Sequence, residues 1–332
     1  MVEPLENVIS TADWYDSANA AKGGFDEDLT MNFVLNNHLY AVVPHAGPFS
    51  PQMMVLYFNK KIFKDNGLEN PRELYDAGKW DWDSFYELGT ELVKNDIWLC
   101  DGRSAWRPTA WNNALNIDHS NPNSPKANIT STKHMNAYKF IQKLTLGQNK
   151  VVDVDLVGTD ETPNVFYQGK VAMWYGFYFD LYENYTLGDG VIASNAFGKN
   201  IDNLGMVPAP LGPDNTEGAY PVGSTIYGIG VGVGSKNPQV AMAFAKFSAT
   251  YKSNTKEKYT YSDEDMALIE KMAAGPKHYT VASYSDGSTD IDTLTNEMSG
   301  KIVRGADIAQ TVEAYNARFQ NCIDTMMKLS VE

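Results

Sequence analysis

Residues 165–180 read VFYQGKVAMWYGFYFD, which places Trp174, Tyr175, Phe177, Tyr178 and Phe179 in one short span broken by Gly176. A flat ring suits the C–H face of a sugar, and planar polar side chains nearby can bond its hydroxyls. Such a site holds a neutral polyol without formal charge. In a strand KVAMWYG, Ala172, Trp174 and Gly176 face one way and Met173 and Tyr175 the other. One of those faces is core. Phe177, Tyr178 and Phe179 follow the strand's end, where open α/β sheets place their ligands. For any single ring, core burial is about as good an account. Trp106 and Trp111 fall in 95–131, which reads as rich in loops, and loops lie on surfaces.

Other chemistries find less support. Asp153, Asp155, Asp160 and Glu161 cluster before the aromatic segment. A glycosidase needs two carboxyls roughly 5–10 Å apart across a sugar, and nothing marks such a pair. No Gly-x-Ser-x-Gly elbow is present. Gly228, Gly230, Gly232 and Gly234 alternate with aliphatic residues, but Gly-Ser-Lys follows where a phosphate loop needs Gly-Lys-Ser/Thr. Glycines on one strand face let a neighbouring backbone or helix come close. The histidines (His38, His45, His119, His134 and His278) include no i, i+4 pair and there is no Cys-x-x-Cys, so no metal or other cofactor is expected. SDGSTDID (285–292) lacks the spacing of a calcium loop and reads as a solvated acidic turn. Cys100 and Cys322 read as two ordinary buried thiols, though the sequence leaves their pairing open. An anionic ligand would want clustered Arg, and no cluster is visible in the linear sequence.

The formal net charge of −14 opposes nucleic acid and anionic lipid. No apolar run is long enough to span a bilayer, and the acidic N-terminus is unlike a signal peptide.

Positioning these groups falls to alternating strands and helices, hence an α/β architecture. Residues 1–37 read as mostly helical. Strands are expected over Leu39–Val43 and Met53–Phe58. Asn59 caps a short helix ended by Gly67, and Asp83 is expected to cap the helix that follows. The spacing of Met135, Tyr138, Ile141 and Leu144 predicts a helix, as does that of Ile308, Val312, Tyr315, Phe319, Ile323 and Met326. Asn237 and Pro238 open another. Proline-rich links near 44–53 and 207–221 suit passages between two lobes.

Several segments resemble one family, the extracellular solute-binding proteins of ABC importers of the maltodextrin/oligosaccharide type. LYAVVP followed by VLYFNKKIFKDNG resembles its Tyr-Gly-Val-Pro … Tyr-Tyr-Asn-Lys segment. KWDWDSFYELGTELVK resembles its Thr-Trp-Asp-Glu-Phe helix, and FYQGKVAMWYG its Phe-x-x-Gly-Lys-x-Ala-Met strand. MVPAPLGPDN and GVGSKNPQVAMAFAKF resemble its Pro-x-Pro linker and Ser-Lys-Asn-Pro helix. The resemblance implies a periplasmic-binding-protein-like fold of two α/β lobes joined by a multi-strand hinge. One lobe would hold 1–44 and 217–275, the other 53–212 and 276–332. It implies ligand contacts from Phe177, Tyr178 or Phe179, from Trp106 or Trp111, and from the regions of His45, Ser224 and Thr225, with Trp174 and Tyr175 at the strand itself. It also implies an extracellular or periplasmic monomer without catalysis that delivers a carbohydrate to permease subunits. Family members begin with a secretion signal, commonly lipid-anchored, and further βαβ units, so the chain reads as lacking an N-terminal portion. Two alternatives stay open: a carbohydrate-active enzyme, and a binding protein of this fold for a non-sugar solute.

Overall fold

The computed structural model describes residues 2–8, 27–35, 37–43, 53–111, 113, 115–121, 123–156, 164–182, 191, 193–216, 218, 220–222, 228–250, 261–275, 277–279 and 284–329. Part of the expected helix over 1–37 lies outside these residues; the described part holds the short helices Leu5–Val8, Glu27–Thr30 and Met31–Phe33, but also the strands Val2–Glu3 and Val34–Leu35.

The apolar run MVLYFN forms the strand Met54–Asn59, buried on both faces. It pairs antiparallel with Leu204–Val207 on one side and with Val171–Phe177 on the other. Trp98–Cys100 adds a parallel outer strand beside Val171–Phe177. Trp82–Leu92 and Gly102–Trp111 lie against this sheet; Thr132–Thr145 packs on Gly102–Trp111, and Ile308–Leu329 on Thr132–Thr145, through the periodic faces read above. Tyr138, Ile141 and Leu144 of Thr132–Thr145 are buried, as are Val312, Tyr315, Phe319 and Ile323 of Ile308–Leu329.

Asn59 caps Lys60–Asp65, its side chain accepting from the Lys61 and Ile62 amides. The next cap differs from expectation. Asp81, not Asp83, caps Trp82–Leu92, accepting the Ser84 N–H at 2.9 Å while the Asp81 N–H donates back to the Ser84 hydroxyl. Trp82 is buried as the first helical residue, which draws the helix start forward and leaves Asp83 in the first turn, where a carboxylate suits the helix dipole.

Among the described residues a second, smaller cluster is separate from the large one. Leu5, Val42, Val231, Met242 and Ala245 are buried around a sheet of Val2–Glu3, Ile229–Gly232 and Ala41–Val42. Two glycines of the stripe permit close approach here. A Cβ on Gly230 would lie 2.6 Å from the Tyr40 carbonyl oxygen and one on Gly228 2.7 Å from the Ala41 Cβ, whereas at Gly232 nothing lies within 4 Å. The packing fits the structural reading of the stripe.

The helix Asp263–Ala274, which the resemblance grouped with 1–44 and 217–275, buries Leu268, Ile269 and Met272 in the large cluster. Buried Arg72 fastens it there. Its guanidinium donates to the carbonyls of Met206, at 2.9 Å, and of Glu264, and lies 3.7 Å from the Asp265 carboxylate. Cys100 and Cys322 are both buried free thiols.

Candidate functional site

The rings of 174–179 divide between core and surface. Trp174 folds its six-membered ring over Gly176, two positions on along the same face. A Cβ on Gly176 would lie 2.3 Å from that ring and 2.7 Å from an Asp180 carboxylate oxygen, so glycine is the residue the site allows. Trp174 also stacks on Tyr57, with centroids 5.9 Å apart at 22°. The Tyr57 hydroxyl donates to the Phe177 carbonyl at 2.7 Å, and the Phe177 N–H donates to Asp180 Oδ2 at 2.7 Å. The Tyr178 N–H donates to the Met53 carbonyl at 3.0 Å. These bonds fix the turn. Phe177 and Phe179 then stack nearly parallel, 5.4 Å apart at 6°, and both are half-buried. Tyr178 points inward, edge-on to Phe179.

Of the residues read as ligand contacts, Trp174, Tyr175, Tyr178 and Trp106 are therefore core rings, each no more than 9% exposed. Trp106 and Trp111 are also not on a loop. They lie on the helix Gly102–Trp111, which runs through Pro108, a residue that argues for a break. The Trp111 side chain and all of His45, Ser224 and Thr225 lie outside the described residues. Phe177 and Phe179 are the predicted rings that the structure leaves half open.

That helix starts where the outer strand ends. Asp101 caps it, accepting the Ser104 N–H at 2.6 Å, and Ser104 Oγ in turn accepts the Tyr175 N–H at 2.9 Å. The helix is thereby pinned against the central strand, and Arg103 and Arg107 fall one turn apart on it. Arg107 is buried. Its Nη2 donates to Asp292 Oδ2 at 3.3 Å and to Asn296 Oδ1 at 3.0 Å, and its guanidinium lies 5.3 Å from the Trp106 ring centroid. Arg103 is half-buried, and burial followed by repulsion from Arg107 lowers its pKa from the usual range, against the pull of Asp101, Asp292 and Asp180. Burial pushes the Asp101 carboxyl up. Burial also raises the Tyr175 and Tyr167 hydroxyls, with Asp180 adding to the effect at Tyr167.

This Arg and Asp group escaped sequence reading. The signal was the spacing of the two arginines in GRSAWRPTAW, which has meaning only once the segment is helical. The aspartates come from three separate stretches of chain. Conversely, the acidic run at 153–161 does not form a facing pair in its described part. The Asp153 carboxylate accepts the Asp155 N–H, an ordinary turn, while Asp160 and Glu161 are outside the described residues. In 285–292 the Asp286 carboxylate accepts from Ser288, Thr289 and Asn321, which holds its pKa well below the carboxylate range. Among the described residues no group of His, Cys, Asp and Glu is placed to hold a metal ion, and no helix is long and apolar enough to cross a membrane.

The site thus offers a ring pair beside interleaved charged donors and acceptors, at the carboxyl ends of two parallel strands. The sequence profile of the bacterial extracellular solute-binding proteins matches residues 8–255. No curated protein matches the chain. Among solved structures it is similar to an ABC substrate-binding protein from Listeria monocytogenes in complex with cycloalternan (18% identity, 98% of this chain and 80% of that one, TM-score 0.63). It is also similar to the sugar-binding protein MalE from Xanthomonas citri (13%, 99% and 80%, TM-score 0.64). A third is UgpB from Mycobacterium tuberculosis in complex with glycerophosphocholine (17%, 97% and 80%, TM-score 0.61). These likenesses establish a periplasmic-binding-protein-like fold. With most of its length matched by that profile, the chain belongs to the bacterial extracellular solute-binding protein family.

Proposed function

We propose that the protein captures an oligosaccharide between two lobes and passes it, chemically unchanged, to the permease subunits of an ABC importer. The observation that carries this reading is the half-open Phe177–Phe179 stack beside the Arg and Asp group, in a chain of this family. The two separate buried clusters are the nuclei of the lobes in this proposal. Crossings near 44–53 and 207–221 join them, and His45, Ser224 and Thr225 stand beside those crossings as contacts from the second wall. Trp111 is a further ring contact in this proposal. Only the closed form touches the guest on both faces, so binding draws the lobes together. The protein works outside the cytoplasm as a monomer, held to the membrane by a lipid anchor.

Titration with a panel of oligosaccharides tests this, followed by calorimetry and tryptophan fluorescence, with chromatography of the recovered sugar. Saturable binding with the sugar returned intact is expected. No heat and no spectral change with any glycan overturns the reading, and shortened sugar overturns its non-catalytic part.

A further inference from the structure

We propose that the helix Pro238–Thr250 is a docking face for an anionic phospholipid surface, with Val240 and Phe244 entering the lipid and Lys236 beside them among the headgroups. This goes beyond the capture reading and holds whatever the guest. The helix reads PQVAMAFAKFSAT and carries apolar residues on both sides. One side packs on Ile229–Gly232 and buries Met242 and Ala245 completely. The other presents Val240, 67% exposed, and Phe244, 63% exposed. They are four residues apart and so share a face. A helix apolar on both sides ordinarily has cover on both.

Exposure of this kind is concentrated here. Val233, in the turn between strand and helix, is also 58% exposed, whereas Leu146 of the large body reaches only 37%. An apolar patch of this sort marks a contact surface.

Charge sets the same face apart. The net charge of −14 opposes anionic lipid for the chain taken whole, but the acids are unevenly placed. Asp and Glu make up 41 of the 332 residues, yet none falls between Glu217 and Glu257. Lys236 lies in that interval, exposed in the turn that leads from Val233 into the helix. A molecule that is acidic elsewhere and bare of acids here turns this face toward a negative surface. Lipid suits the face better than protein does. Val240, Ala243 and Phe244 present carbon alone, with no side-chain donor or acceptor to fix the register of a protein partner. A bilayer interface needs none. Apolar side chains enter the acyl boundary and lysine stays with the headgroups, as in helices that lie in the interface plane.

The test floats the 332-residue protein with vesicles of phosphatidylcholine alone or mixed equally with phosphatidylglycerol. Mixed vesicles are expected to hold the protein about fivefold better or more, with the margin shrinking as salt rises. Phe244→Ser is expected to lower binding about tenfold. Lys236→Glu should lower it for the mixed vesicles alone, and Leu146→Ser should leave it unchanged. All three side chains are exposed, and circular dichroism checks that the variants fold. The comparison of vesicles on the unaltered protein stands even if a variant misfolds. Sugar titrations of Phe244→Ser are expected to match those of the unaltered protein, which keeps this inference separate from the capture reading. No binding to mixed vesicles, equal binding to both kinds, or binding that survives Phe244→Ser overturns the proposal. A dimer in light scattering that Phe244→Ser breaks also overturns it, and assigns the face to a second copy of the chain.

Discussion

The two buried clusters are built on different terms. The large one wraps long apolar strands and helix faces around one another, with Tyr57, Phe58, Phe85, Phe166 and Phe319 fully enclosed. Among the described residues the small one closes over strands of two to four residues, and at Gly230 the Tyr40 carbonyl and the Val2 side chain leave no room for a Cβ. Its helix Pro238–Thr250 buries Met242 and Ala245 while Val240 and Phe244 stay exposed, at 67% and 63%. Large side chains fill the first, whereas the described part of the second has few buried side chains and leaves no room for a Cβ at Gly230. The second is therefore the part that should open at lower cost.

Two truncations test that contrast most severely. Phe85→Ala, at a fully buried site, is expected to cost about 3–5 kcal/mol and to shift the main urea transition. Met242→Ala in the small cluster is expected to cost about 2 kcal/mol and to move only an earlier transition. One shared transition, displaced by both, would show the clusters to be a single cooperative unit.

Acid gives the next largest effect, and it belongs to the large body. His134 is fully buried, its Nε2 on the Leu115 carbonyl, and burial lowers its pKa from 6.5 to about 4. The folded state refuses the proton that the unfolded state accepts. Stability is then full above pH 6.5, falls as pH drops toward 4, and is level below that as far as this group is concerned, an effect on the order of 3 kcal/mol. His134→Gln should flatten that limb in denaturation midpoints measured across pH. An unchanged slope would mean that other groups govern the acid response.

The finest test lies within the glycine stripe. Gly230→Ala brings a methyl against the Tyr40 carbonyl and should cost about 1–3 kcal/mol. Gly232→Ala meets nothing and should stay within about 0.5 kcal/mol. Equal costs in thermal melts would deny that close approach is what the stripe provides.

The same contrast explains what could be read ahead of the structure. Met54–Asn59, Thr132–Thr145 and Ile308–Leu329 announce themselves because burial imposes a period on their side chains. Gly102–Trp111 does not, since Pro108 and two tryptophans mask its pattern, and with it went the arginine pair. Asp81 and Asp83 are equal candidates for a cap until Trp82 has to enter the core. The partner of Asp263–Ala274 depends on Arg72, far away in the chain. Of the site, the ring-rich turn was legible as composition. Which rings stay half open was not, because that depends on Gly176 accepting the Trp174 ring and on Asp180 holding the turn.

Val2 pairs with Gly232, and Gly230 with Ala41, so the chain leaves the small sheet, builds most of the large body and then comes back. On the ribosome the early strands emerge long before their mate. The entropy of closing so long a span grows only slowly with its length, and folding the intervening residues first shortens it further. The small sheet therefore stays open until Ile229–Gly232 has emerged. A nascent chain halted before Ile229 would carry bare strand edges at Val2–Glu3 and Ala41–Val42, the kind of surface on which unfinished polypeptides stick to one another.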